Sequence, residues 1–148
     1  MDNSDLSKIS FVHNALPDLA LNKIEIGERI NGIALKSPIF VFAKSADKAK
    51  ELSLNIRDAP VLCNSKKNVW LYLNGAERKF ALNGYHLVRI RDGIEAAKAI
   101  RLGKNIPFVD EKDAIKLDVY IKQLQVAMFL TNSGSLRALK KAPVYKMI

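Results

Sequence analysis

Cysteine is almost absent from this chain: Cys63 is its only one, so neither an internal disulfide nor a multi-cysteine metal site can form. Long hydrophobic stretches are missing too. No apolar run exceeds the five residues of Ile39-Phe40-Val41-Phe42-Ala43 or Val126-Ala127-Met128-Phe129-Leu130, whereas a membrane-spanning helix needs about 20. The opening Met1-Asp2-Asn3-Ser4-Asp5 is acidic and polar, the reverse of a secretory signal. With the single thiol, this makes a reducing, cytoplasmic location the expectation. Aromatic residues make up only 7% of the chain, and no RNA-recognition, KH or zinc-finger pattern occurs, which weighs against those nucleic-acid modules. Internal repeats, low-complexity tracts and linkers are also lacking. A single domain over residues 1–148 is expected, with residues 1–37 as an arm and hairpin strapped onto it.

What is present fits that picture. In 148 residues, 49% are hydrophobic and 26% charged, enough apolar material for one globular core. The formal charge of +9 is unevenly placed. Through Ser65 there are 8 basic and 8 acidic residues, and from Lys66 onward 16 and 7. The whole excess therefore lies in the second part, which favours an anionic partner there, such as phosphate, nucleic acid or an acidic protein face. Arg89, Arg91, Lys98, Arg101 and Lys104, joined by Lys66, Lys67, Arg78 and Lys79, are the candidates for a basic patch.

Periodicity divides the chain into strands and helices. Ile24, Ile26, Ile30, Ile33 and Leu35 alternate with polar residues around Asn31-Gly32, the mark of a small hairpin. The run from Ile39 to Ala43 predicts a strand buried on both faces, followed by a helix with Ser45 as N-cap and Ala46, Ala49, Leu52 and Ile56 inward. Further strands are expected at Ala59-Pro60-Val61-Leu62-Cys63 and at Asn68-Val69-Trp70-Leu71-Tyr72-Leu73. After Asn74-Gly75, residues 79–82 pair back. Tyr85-His86-Leu87-Val88-Arg89-Ile90, a helix over 93–102 stopped by Gly103, and a strand at 106–109 make a strand–helix–strand unit. Ala114, Leu117, Ile121, Leu124 and Met128 form one stripe on a long amphipathic helix over 113–131. Ser135 caps a short helix through Lys141. Cys63 reads as an inert core thiol.

Several stretches carry a family resemblance. Phe11-Val12-His13-Asn14-Ala15-Leu16-Pro17-Asp18-Leu19-Ala20-Leu21 is the most specific, followed by Ser37-Pro38-Ile39-Phe40-Val41. Ala96-Ala97-Lys98-Ala99-Ile100-Arg101-Leu102-Gly103 and Leu136-Arg137-Ala138-Leu139-Lys140-Lys141-Ala142-Pro143 complete the set. In this order they resemble the type 2 isopentenyl-diphosphate isomerases, flavin-dependent enzymes of the TIM-barrel class. A complete barrel takes roughly 250 residues. The resemblance therefore implies an α/β fold, a partial or abridged (β/α) barrel-like domain with a parallel-biased sheet and a long C-terminal amphipathic helix.

The resemblance also implies FMN as cofactor, with Mg, and allylic proton transfer on isopentenyl diphosphate. Ala43-Lys44-Ser45-Ala46-Asp47 stands where the family has Ala-Met-Thr-Gly-Gly against the flavin. Arg91 stands at the arginine of the Gly-Gly-aliphatic-Arg phosphate turn, with Val88-Arg89 at its two glycines. Ala43, Lys44, Ser45 and Arg91 are thus the cofactor candidates, and Lys44-Ser45, at a helix start, is a candidate anion site in its own right. A second alignment sets His86-Leu87-Val88-Arg89-Ile90-Arg91-Asp92 on the family's His-Leu-Asn-x-x-Gln-Glu. His86 and Asp92 are then the catalytic acid/base candidates, Asp92 also a cation ligand, and Arg91 replaces the glutamine. A permanently charged guanidinium is a poor proton shuttle. The plainer reading of His86 and Asp92 is a half-buried strand histidine and a helix N-cap. The ten residues before Phe11 hold no Arg-Lys pair for a diphosphate.

The expectation is an isomerase-like protein without the full catalytic set, acting as an anion-binding or oligomerising domain, with itself or a full-length relative as partner. An active FMN-dependent isomerase and a basic nucleic-acid-binding domain are the alternatives.

Overall fold

The computed structural model describes residues 21–141; the stretch around Phe11 and His13, and Ala142-Pro143, lie outside the described residues. The described strands begin with an antiparallel hairpin of β1 (Glu28–Ile30) and β2 (Ile33–Leu35). Its two-residue turn needs positive φ at both positions, and Asn31 and Gly32 supply it with φ of 52° and 79°. β3 (Phe40–Phe42) follows, then α1 (Ala46–Asn55), β4 (Val61–Ser65), β5 (Asn68–Leu73) and β6 (Ala76–Lys79). β7 (His86–Arg89), α2 (Gly93–Arg101) and β8 (Asn105–Asp110) come next. The chain continues through a 3-10 turn (Glu111–Lys116) into α3 (Leu117–Leu130) and α4 (Leu136–Lys141).

Six strands form a mostly parallel sheet in the order β6-β5-β4-β3-β8-β7. β4, β3, β8 and β7 run parallel, while β5 and β6 are added antiparallel. Among the described residues β6 and β7 are edges that do not pair with each other, so the sheet is open rather than closed into a barrel.

Strand alternation sorts the core into two clusters. Val41, Val61, Cys63, Tyr72 and Val109 meet residues of all four helices on one face. Phe40, Leu62, Leu71 and Ile106 meet Ile30 and Leu35 of the hairpin and Phe80 on the other, where no described helix contributes. The hairpin is held there by Asn31, which donates to the Ala81 carbonyl and accepts from Asn83 Nδ2. The molecule is thus three layers: helices, sheet, hairpin.

Most elements lie where the alternation and turn signals put them, with two corrections. The return strand after Asn74-Gly75 is Ala76–Lys79 and not 79–82, because the tight turn (φ 51° and 86°) pairs Leu73 with Ala76 at once. The expected 113–131 helix is a 3-10 segment followed by an α-helix that starts at Leu117. Of its expected inward stripe, Ala114, Leu117, Leu124 and Met128 are buried, and Ile121 is partly buried against them. Close helix contact is set by Gly93: a Cβ there would lie 2.0 Å from the Tyr120 carbonyl oxygen.

Candidate functional site

The C-terminal ends of β3, β7 and β8 open on a cleft of about 370 Å³, lined by Phe42, Lys44, Arg89, Asp110, Glu111 and Lys112. The crevice beyond the carboxyl ends of parallel strands is where open α/β sheets ordinarily bind ligands, because loops from several strands converge there. Strand register explains the lining. Arg89 pairs with Phe108 and Phe42 with Asp110 across adjacent strands, so these four share the sheet face opposite the helices. Phe42 and Phe108 are half-buried and their rings tilt together at 5.6 Å. Arg89 forms an ion pair with Asp110, and the Lys44 N–H donates to Glu111 Oε1 at 3.2 Å. The rim therefore carries three cationic and two anionic side chains, the latter two already engaged.

Of the residues expected to hold a cofactor, Lys44 alone reaches this cleft. Ala43 is buried on the helix face of the sheet. Ser45 is the N-cap of α1, its Oγ accepting the Lys48 N–H at 3.1 Å. Arg91 is clamped to Glu95 through its backbone N–H, Nε and Nη2, at 2.8 to 3.3 Å. That hydrogen bonding raises the Arg91 pKa and lowers that of Glu95.

The catalytic candidates are not brought together. His86 begins β7 and Asp92 follows its end, so the whole strand stands between them. His86 is exposed and not half-buried, because β7 is an edge strand. Asp92 caps α2, its Oδ1 accepting the Glu95 N–H at 2.9 Å, and Gln123 Oε1 takes the Gly93 N–H at 2.9 Å.

A flavin phosphate does not fit this turn. A phosphate needs free backbone N–H groups at a helix start, and here those of Arg91, Gly93 and Glu95 are taken by side-chain oxygens, with the carboxylates of Asp92 and Glu95 adding repulsion. The glycine of the turn serves helix packing instead. Among the described residues no group of three or more His, Cys, Asp or Glu side chains is gathered as for a metal ion.

The thiol of Cys63 is fully buried, and burial raises its pKa, as it does that of Tyr72, whose hydroxyl donates to Glu77 at 2.6 Å. Sequence reasoning missed the Phe42–Phe108 pair and Lys112 as cleft residues. Alternation marks which side chains share a strand's face, but only the β3–β8 neighbourhood juxtaposes the two rings.

No protein family, curated protein or solved structure matches the chain. No described helix is long and apolar enough to cross a membrane.

Proposed function

We propose that this chain is an anion-binding α/β domain that shares packing elements with the type 2 isopentenyl-diphosphate isomerases without their flavin chemistry. The supporting observation is the cleft, where Lys44, Arg89 and Lys112 line the carboxyl ends of three parallel strands. Of the stretches that resemble the family, those within the described residues fall at the entry to β3, in α2 and in α4, elements that build the core. The positions that would carry chemistry depart from it: Arg91 stands in place of the glutamine and is tied to Glu95, and the Asp92 carboxylate is engaged as the α2 cap.

A rim with one net positive charge and partly engaged donors supports weak, salt-sensitive capture, with Kd on the order of 1 mM. Titration with tripolyphosphate at low salt, followed by backbone amide shifts, should give saturable changes at Lys44, Glu111 and Lys112. The Lys44→Ala, Lys112→Ala double variant should weaken binding several-fold. Absence of saturation, or a double variant that binds equally well, would refute the reading.

A second reading, self-association, is supported by the outer side of α3 and the turn before it, where Ile115, Val119, Phe129 and Leu130 are exposed at 87%, 55%, 44% and 54%. A helix that is apolar on both sides is ordinarily covered on both. Sedimentation should then show a concentration-dependent oligomer that Ile115→Lys with Val119→Lys abolishes; a monomer at high concentration would dismiss it.

A further inference from the structure

We propose that the anion held at this cleft is the backbone of a single-stranded nucleic acid, whose bases stack along the open sheet face of β3, β8 and β7. The inference rests on the anion-binding reading of the cleft and names its ligand. The hairpin covers the middle of that face, burying Phe40 and Ile106, but leaves Phe42, Phe108, Leu87 and Tyr85 only partly covered. These rings are accompanied by cations at both ends: Arg89 and Lys44 beside the Phe42–Phe108 pair, and Lys104 over the Tyr85 ring, its Nζ 5.6 Å from the centroid.

Rings that take base faces, alternating with cations that take phosphates, are the requirements of a single-strand platform, and they are sequence-tolerant because every base has a π-face. Reach decides between a mononucleotide and a strand. Tyr85 lies four residues before Arg89, which pairs with Phe108, so at about 3.3 Å per residue the two aromatic stations are about 13 Å apart. That exceeds one stacked nucleotide, whose rise is about 3.4 Å. A duplex hides its base faces and fits less well. Along this path Lys44, Arg89, Lys112 and Lys104 stand against Asp110 and Glu111, four cations to two carboxylates. Asp110 opposes the ligand. Its pairing with Arg89 orients the guanidinium beside Phe108 at the cost of a nearby negative charge.

The test is fluorescence anisotropy with labelled octathymidylate on the full chain, with octaglutamate and tripolyphosphate as competitors and a matched duplex as control. The expected result is that octathymidylate binds at least about 10-fold tighter than either competitor or the duplex. Phe42→Leu should remove about 10-fold of that affinity while Phe42→Tyr retains it, as stacking predicts. Lys104→Gln, on an exposed side chain away from the core, should weaken binding and reduce the salt slope by about 0.7. Asp110→Asn should strengthen it. If tripolyphosphate and octathymidylate bind alike and Phe42→Leu changes neither, the nucleic-acid inference is overturned while the anion-binding cleft stands. Octaglutamate binding as tightly as the oligonucleotide overturns it in favour of an acidic polypeptide. If no anion binds, the cleft reading falls with it.

Discussion

Gly93 couples two helices through the absence of a side chain. With the Tyr120 carbonyl oxygen 2.0 Å and the Gln123 Cβ 2.6 Å from where a Cβ would stand, Gly93→Ala must push α2 away from α3. The expected loss is about 1–3 kcal/mol or more, read from the urea midpoint. Two positions on, Glu95 carries a pH dependence whose direction is set by Arg91. The Arg91 hydrogen bonds, opposed by partial burial, hold its carboxyl below the usual range. The unfolded chain then binds the proton at higher pH than the folded one. The stability this group contributes is therefore present above the ordinary carboxylate pKa of about 4.3 and lost as pH falls through the lowered native value. Glu95→Gln should flatten the decline of stability between about pH 5 and pH 3, measured as the melting temperature at each pH. Asp58, lowered first of all by its hydrogen bond with Asn74, acts in the same direction.

At the scale of elements, the β1–β2 hairpin covers the middle of the sheet face opposite the helices. Ile30 and Leu35 bury themselves on Phe40, Leu62 and Leu71, but register and position depend on Asn31, which supplies both the left-handed turn and the links to Ala81 and Asn83. Asn31→Ala should cost about 1–2 kcal/mol, from the strained turn and the unmade hydrogen bonds. Hydrogen exchange should speed up first at Ile30 and Ile33, with β4 unaffected; equal acceleration in β4 would mean that the hairpin and sheet unfold as one unit. The capping arrangement of α2 works on the same scale. Asp92 and Gln123 satisfy its first N–H groups from within, which stabilises the helix and at the same time closes it to an external anion. The cleft beside Lys44 instead draws its groups from strand ends and from the residues that lead into α1 and the 3-10 turn.

For the whole molecule, charge and apolar surface act against each other. A net charge of +9 opposes self-association, while the exposed apolar side of α3 and its leading turn favours it. Screening weakens only the first of these. Raising salt should therefore promote the oligomer in sedimentation and weaken anion capture in the same samples. An oligomer that dissociates as salt rises would point to ion pairs rather than α3 as its interface. Both effects can share one chain, because Ile115 and Val119 belong to the helical side and the cleft belongs to the hairpin side.

Local chemistry made much of this structure legible from residues alone. Asn31-Gly32 and Asn74-Gly75 specify tight turns, Ser45 and Asp92 specify helix starts, and the Leu117, Leu124 and Met128 stripe specifies a buried face, since each depends on neighbours within a few positions. The break of the 113–131 segment at Leu117 was not legible, because its apolar spacing is the same in a 3-10 turn as at the start of an α-helix. Nor was the site. His86 and Asp92 share one seven-residue motif, yet an extended strand carries them apart, while Phe42, Arg89 and Lys112 become neighbours only because β8 lies between β3 and β7. Sequence determined the elements, their caps and their faces, because those follow from short-range sterics and hydrogen bonding. Tertiary structure alone decided which strand ends meet, because strand order is set by packing summed over the whole core and leaves no mark at any single position.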